Sequence, residues 1–153
     1  MCIRDRVRIF EALSLRAKVS TDLDGLVEAA RTALGAAISQ PFVTPDERLH
    51  VITLEPGFEQ RLLEAVRQTE GGQVLALDGH TVDVLVRGCT ELLDEAERLN
   101  FSPVLVCSPQ IRAALSRLVR QVLPRLTVIS YNEVSRTAQI ESLGVVSGAY
   151  AVR

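Results

Sequence analysis

Cys107 is the residue best placed for chemistry, because it ends a short apolar run directly before a predicted helix that starts at Ser108-Pro109. Backbone N–H groups and the helix dipole would favour a thiolate nucleophile at such a position. A nucleophile elbow, however, carries glycines on both sides of the nucleophile, and Val106 and Ser108 flank this cysteine. No histidine is placed to serve as its base. A small buried structural cysteine is therefore the favoured interpretation, and a small α/β enzyme with Cys107 as nucleophile is the alternative.

Acidic residues supply no better catalytic candidate. Asp78 follows an apolar strand as a phosphoacceptor aspartate does, but that chemistry needs a lysine at a later strand end, and the chain's one lysine is Lys18. One predicted helix carries a crowd of carboxylates, namely Glu91, Asp94, Glu95 and Glu97. They are interpreted as a solvated face, because acid–base catalysis and metal binding need converging carboxylates.

Spacing also argues against a metal or a nucleotide cofactor. The two histidines and three cysteines follow no recognised zinc-binding interval, and the sequence contains neither of the glycine-rich phosphate-binding patterns. We therefore expect no catalytic residue, no cofactor and no metal.

The segment Tyr131-Asn132-Glu133 comes after another apolar run and is the second place to inspect. Loops at the carboxyl ends of strands concentrate binding residues in α/β sheets. Asn and Ser side chains also bond nearby backbone, so a turn that caps the next segment of the chain is the favoured interpretation. Contact with a protein partner is the functional hypothesis for these three residues.

A strand, a helix and a strand must position both candidates. Val104 to Val106 form an apolar run without alternation, which is typical of a strand buried on both faces. Ser108 and Pro109 favour a helix start. Its apolar face is predicted to carry Ile111, Leu115, Leu118, Val119 and Val122, with Arg112, Arg117 and Arg120 pointing elsewhere. Leu126 to Ile129 then predict the second strand, reached by a right-handed crossover.

The same alternation extends upstream. Strands around Val51 and Leu75 are predicted to join those at Leu105 and Val128 in one sheet, with helices from Pro56 to Val66 and from Val82 to Asn100 between them. Residues 139–146 form a final strand-like segment. This part of the chain is predicted to be an open, mostly parallel sheet flanked by helices.

A helical segment precedes the sheet. Ile3, Val7, Phe10 and Leu13 have the spacing of an amphipathic helix that fades near Lys18. A second helix is predicted from Leu23 to Ile38, with Thr21 and Asp24 as a capping box. The turn-rich stretch from Gln40 to Arg48 is the candidate boundary. The fold class is therefore α/β, with a helical part at 1–42 and an α/β part at 43–153.

Composition is that of a soluble globular protein. The chain has 153 residues, of which 47% are hydrophobic, and a formal net charge of -2. This balance does not indicate binding to nucleic acid or to an anionic membrane. No apolar run approaches the roughly 18 residues of a membrane span. An odd number of unpaired cysteines favours a reduced, cytosolic compartment.

Several sequence blocks together resemble the FlhA family of flagellar biosynthesis proteins, the export gates of type III secretion. The blocks are IRDRVRIFEAL (3–13), AISQPF (37–42), LHVITLEPGFEQRLLEAV (49–66), PVLVCSPQIR (103–112), LPRLTVISYNEV (123–134) and QIESLGVV (139–146). They occur in the family's order and cover essentially the whole chain. The resemblance implies a C-terminal cytoplasmic fragment, attached to the membrane through an N-terminal part that this chain lacks.

The resemblance also implies protein export and not catalysis. It implies a ring-forming homo-oligomer at the cytoplasmic face of the bacterial inner membrane, with export chaperone–cargo complexes and the stalk protein of the export ATPase as partners. The helical part is implied to help hold the ring together. We therefore expect protein contacts at Val7, Phe10 and Leu13, and at Tyr131, Asn132 and Glu133.

Overall fold

The computed structural model describes residues 2–148, and its N-terminal part is helical. Helix α1 spans Ile3–Ala17, α2 spans Leu23–Ala33 and α3 spans Gly35–Ser39, followed by a 3-10 turn at Gln40–Phe42. Asp22 caps α2, since its Oδ2 accepts a hydrogen bond from the Gly25 N–H at 2.7 Å. The predicted capping box of Thr21 and Asp24 is therefore wrong. The single helix predicted as far as Ile38 is interrupted at Leu34.

Residues 48–146 form the α/β unit. Its strands are β1 (Arg48–Leu54), β2 (Val66–Thr69), β3 (Gly72–Leu75), β4 (Val104–Cys107), β5 (Thr127–Ser130) and β6 (Gln139–Val146). Its helices are α4 (Pro56–Glu64), α5 (Gly79–Arg98) and α6 (Pro109–Val122), and a 3-10 turn covers Tyr131–Glu133. Four strands lie in the order β5-β4-β1-β6, and every neighbouring pair is parallel. The predicted α/β class with a mostly parallel sheet is confirmed.

The predicted place of Leu75 in that sheet is wrong. Leu75 pairs with Val66 in an antiparallel hairpin of β2 and β3, separate from the four-stranded sheet. Helix α4 ends at Glu64, so Val66 belongs to a strand, and Gly72 turns the chain with φ at 103°. The apolar residues from Val74 to Leu77 are too few and too exposed to form a strand buried on both faces.

Both faces of the four-stranded sheet are covered. One face carries Ile52, Leu105 and Val128 against apolar residues of α4, α5 and α6. The other face carries Leu49, Val51, Val104, Val106 and Ile129 against Ile38, Phe42, Val43, Val134 and Ala138. Burial on both sides explains why the sequence of β4 is an uninterrupted apolar run.

Helices α1 and α2, called here the helical pair, are attached differently. Both lie wholly within the described residues, and neither has a buried apolar side chain; Asp24 is the buried residue of α2. The side chain of Phe10 on α1 is 70% exposed. Among residues 2–148, none of the helices combines the length and apolar character needed to cross a bilayer.

Candidate functional site

The carboxyl ends of β4 and β5 are tied together by Glu59 of α4. Its Oε1 accepts a hydrogen bond from the Ser108 backbone N–H at 2.5 Å, and its Oε2 accepts one from the Tyr131 hydroxyl at 3.4 Å. The carboxylate therefore bridges the start of α6 and the turn after β5. It fixes the edge of the sheet at which both sequence candidates lie.

Cys107 is part of the core beneath that edge. Its side chain is fully buried in the apolar cluster, and its Sγ lies 3.8 Å from the carbonyl oxygen of Ile129. Burial raises the pKa of the Cys107 thiol, and the negative charge of Glu59 raises it further. Burial thus has a larger effect on the pKa of this thiol than the nearby start of α6. A buried thiol with a raised pKa lacks the reactivity and the access of a nucleophile.

The turn after β5 presents two of its three residues. Tyr131 is 48% exposed and Asn132 is exposed as well, whereas Glu133 is completely buried. The Glu133 Oε2 atom accepts a hydrogen bond from the Ser130 N–H at 2.6 Å. The buried carboxylate therefore fixes the shape of the turn. Tyr131 and Asn132 remain accessible to a partner.

A row of ion pairs joins α2 to α6 and to the turn after β5. Asp24, Glu28 and Arg31 lie at i, i+4 and i+7 on one face of α2, and each meets an opposite charge: the pairs are Asp24–Arg117, Glu28–Arg112 and Arg31–Glu133. These three pairs are called the ionic row. Residues at this spacing share one helix face, so a single surface of α2 makes all three contacts.

Asp24 forms the most complete pair of the row. Arg117 donates from Nη2 to Oδ1 at 2.6 Å and from Nη1 to Oδ2 at 3.2 Å, and the Gln73 N–H donates to Oδ2 at 2.7 Å. The hydrogen bonds from Arg117 hold the pKa of Asp24 below its usual value. This one carboxylate connects α2, β3 and α6.

The other two pairs are less complete. Burial raises the pKa of Glu28 although Arg112 contacts it, and the Glu28 Oε2 atom is buried without a hydrogen-bond partner among the described residues. The Arg31 Nε atom lies 2.5 Å from Glu133 Oε1, but the two atoms are not aligned as a hydrogen bond. Desolvation offsets much of the attraction in such buried pairs.

Two clefts flank Asn132 where the helical pair meets the α/β unit. A cleft of about 380 Å³ lies between α2 and the start of α6, with Glu28, Gln110 and Asn132 in its wall. A wider cleft of about 660 Å³ has Thr32 and Ala33 of α2 on its wall, together with Tyr131 and Asn132 and the loop from Val134 to Thr137. We call the second the Tyr131 cleft.

Comparison with known proteins identifies the family. The sequence profile of the FHIPEP family matches residues 1–139. The chain belongs to the FHIPEP family. The flagellar biosynthesis protein FlhA of Bacillus subtilis is 36% identical over 147 residues, which cover 94% of this chain and 21% of that protein. The chain thus spans about a fifth of the length of this relative.

Solved structures share the fold of this FHIPEP chain. The Chlamydia pneumoniae CdsV protein is 29% identical with a TM-score of 0.79, over 94% of this chain and 41% of that one. A chain in the structure of the CdsV and CdsO protein complex is 28% identical with a TM-score of 0.72, over 95% and 43%. The nonameric EscV cytosolic domain from the type III secretion system is 25% identical with a TM-score of 0.71, over 94% and 42%.

The remaining sequence candidates of the FHIPEP chain have structural roles or lie on the surface. Asp78 caps α5, because its Oδ1 accepts a hydrogen bond from the Thr81 N–H at 2.7 Å. Asp94 and Glu97 pair with Arg125, and residues 2–148 contain no cluster of three metal-ligating side chains. On α1, Val7 and Phe10 are exposed and Leu13 is partly buried. These three lie on a different element from the Tyr131 cleft.

Sequence reasoning missed the ionic row and Glu59. Arg112 and Arg117 point away from the apolar face of α6 as predicted, but α2 lies in their path. The paired residues are 84 and 93 positions apart in the sequence, so no local spacing signals the contacts. The i, i+4, i+7 recurrence of Asp24, Glu28 and Arg31 is the available signal, and it is equally typical of a solvated face.

Proposed function

We propose that this chain is a docking and ring-forming module of the flagellar type III export gate, placed at the cytoplasmic face of the bacterial inner membrane. Its partners would be copies of itself, export chaperones with their cargo, and the stalk protein of the export ATPase. The observation that carries the proposal is the FHIPEP profile match over residues 1–139, together with a flagellar relative aligned over 94% of the chain.

Two structural relatives support the assembly part of the proposal. The EscV cytosolic domain is described as nonameric, and CdsV is described in a complex with CdsO. A chain of the same fold therefore has precedents for self-assembly and for binding a second protein.

The Tyr131 cleft is the surface that we assign to docking. It is concave, it measures about 660 Å³, and it is bordered by the exposed side chains of Tyr131, Asn132 and Arg136. Tyrosine and arginine are enriched among residues that dominate protein interfaces. Glu59 and Glu133 hold the turn from beneath, so the cleft is shaped before a partner arrives.

The test uses the full-length protein in its own host. Tyr131→Ala with Asn132→Arg should reduce the amount of flagellar protein exported to the medium about tenfold or more, as expected for loss of an interface hot spot. Glu95→Arg, an exposed change on α5, is the matched control and should export normally. Normal export by the double variant, with normal protein level, would remove the cleft from the proposal. Normal export by the full-length protein from which the region corresponding to residues 2–148 has been deleted would refute the function itself.

A further inference from the structure

We infer that the helical pair is a lever: α1 and α2 detach together from the α/β unit, turning at Leu34–Gly35, while the four-stranded sheet stays folded. The detachment itself is independent of the proposed function. Its effect on partner binding at the Tyr131 cleft rests on that function. Detachment is favoured by high salt and by loss of the ionic row.

The attachment of α2 is ionic in its chemistry. An apolar interface would bury hydrophobic side chains of α2 fully, whereas Leu26, Ala29 and Ala30 are only partly buried and none of the apolar residues of α2 is fully buried. Charged pairs take the place of that interface. Interactions between charges accessible to solvent are screened over about 10 Å at 0.1 M salt and about 3 Å at 1 M. The side chains of Arg117 and Arg31 are 40% and 28% exposed, so salt reaches two of the three pairs, whereas Arg112 and Glu28 are 8% and 16% exposed and are screened less.

The docked state also leaves hydrogen bonds unmade. Glu28 Oε2 is buried without a hydrogen-bond partner among the described residues, and burial disfavours its charge. An unsatisfied buried polar atom regains hydrogen bonds with water when the interface opens. The row therefore positions α2 accurately and holds it weakly.

The hinge lies where α2 ends. The helix stops at Ala33, and Leu34 leaves helical geometry with φ at -101° and ψ at 8°. Beyond it, Gly35 lies so close to the turn after β5 that an added Cβ would be 2.9 Å from the Asn132 carbonyl oxygen. Ile38 and Phe42 then pack on the sheet. The anchored segment begins directly after the last turn of α2.

Movement of α2 would change the Tyr131 cleft. Thr32 and Ala33 at the end of α2 line the cleft next to Gly35 and Ala36 of the anchored α3, and Tyr131 lies among the residues that border it on the other side. Detachment would shift the α2 end of that wall and remove Arg31 from the buried carboxylate of Glu133. The position of α2 therefore affects one end of the cleft and the ion pair beneath its turn.

The experiment measures the distance between two spin labels on the complete chain by pulsed electron paramagnetic resonance. Labels are attached at Arg8→Cys on α1 and Gln121→Cys on α6, both exposed, in a Cys2→Ser background. Cys89 and Cys107 are buried and stay unlabelled. At 50 mM salt we expect one narrow distance distribution; at 1 M salt, a second and longer population.

Two variants make the test specific. Arg112→Glu with Arg117→Glu reverses both arginines that meet α2 from α6, and should produce the longer population at low salt. Arg125→Glu breaks an ion pair outside the row and should leave the distribution narrow. Amide exchange in α2 should become about tenfold faster in the first variant, with β1 and β4 unchanged.

Two results would overturn the proposed detachment of the helical pair. One is a distance distribution that neither salt nor the double variant changes. The other is a double variant in which β1 and β4 exchange as fast as α2, since the chain would then open as one unit. Because neither measurement involves export, a failed export assay would not affect this result.

Discussion

The α/β unit and the helical pair differ in what holds them in place. Three strands of the α/β unit have apolar side chains buried on both faces, including Leu105 and Ile52 with no exposed area. The helical pair has no fully buried apolar side chain within the described residues and contacts the unit through the ionic row. Apolar burial contributes about 25 cal/mol per Å², whereas partly exposed ion pairs contribute about 0–1 kcal/mol each, and desolvation offsets much of the attraction in a buried pair such as Glu28–Arg112. One chain thus combines a rigid platform, the α/β unit, with a weakly held attachment.

That difference bears on the docking surface that we propose. Local opening occurs first where few apolar contacts must be broken. In this molecule such a region borders the Tyr131 cleft, and the unit that carries Tyr131 itself is the strongly packed one. If the Tyr131 cleft docks a partner as we propose, the part of its wall on the α/β unit stays fixed and the end on α2 can move.

The largest expected effect tests the platform. Leu105→Ala, at the centre of β4, should reduce the free energy of unfolding by about 3 kcal/mol, because it leaves a cavity in a region that cannot collapse. The measurement is urea denaturation followed by circular dichroism. Leu23→Ala on α2 is the matched control: this leucine is 74% exposed, and its removal should cost less than about 0.5 kcal/mol. Equal costs for the two leucines would contradict the comparison.

The platform is also the part that sequence reasoning predicts well. The run Val104 to Val106 and the signals Ser108 and Pro109 are local, so β4 and the start of α6 are predicted to within a residue. Apolar burial on both faces leaves a plain pattern in the sequence.

The missed features depend on partners far away in the chain. The β2–β3 hairpin was missed because Val66 continues the apolar spacing of α4, which hid the end of that helix at Glu64. The buried state of Glu133 depends on where α2 lies. Polar residues give the same sequence pattern whether they face water or an opposite charge, so the ionic row could not be deduced from spacing alone.

A smaller effect is expected at Gly72, where the hairpin meets the ionic row. Its φ of 103° is unfavourable for any residue with a Cβ, and an added Cβ would lie 2.7 Å from Arg117 Nη2 and 2.8 Å from Asp24 Oδ2. Gly72→Ala should therefore cost about 1–2 kcal/mol and speed amide exchange in α2. Gly57→Ala is the control, since a Cβ there has no neighbour within 4 Å. If both substitutions are neutral, the hairpin does not support the row.

Acidification should affect the helical pair in two opposite steps. The pKa of Glu28 is raised in the folded chain by burial. The contribution of Glu28 to the attachment of α2 is therefore present at low pH and is lost as pH rises through the raised pKa. The pKa of Asp24 is lowered by Arg117, so its contribution is present above the usual carboxyl pKa and is lost as pH falls through the folded value. As pH falls from 7, the attachment of α2 to the α/β unit should first become stronger and then weaker.

The spin-label distance distribution measures both steps between pH 7 and pH 3. Glu28 faces Arg112, Arg31 and Glu133, so its proton affinity reflects all three charges. Glu28→Gln should remove the first step, and Asp24→Asn should remove the second and lengthen the distance at every pH. A response that is unchanged in both variants would assign the pH dependence to other groups.

The smallest effect on stability, and the clearest on association, is expected for the exposed apolar face of α1. Val7 and Phe10 are 49% and 70% exposed, and exposed apolar faces of this kind favour contact with another molecule. We predict weak self-association through residues 1–42, with a Kd of about 0.1–1 mM, visible as concentration-dependent sedimentation.

Phe10→Ser should abolish this self-association and leave the free energy of unfolding unchanged, because the ring has little area to lose from the core. Val145→Ser, which removes a similarly exposed apolar side chain from β6, should keep the association. The reverse result, with association lost only in Val145→Ser, would place the self-associating surface on the platform and reverse the roles that we assign to the two regions.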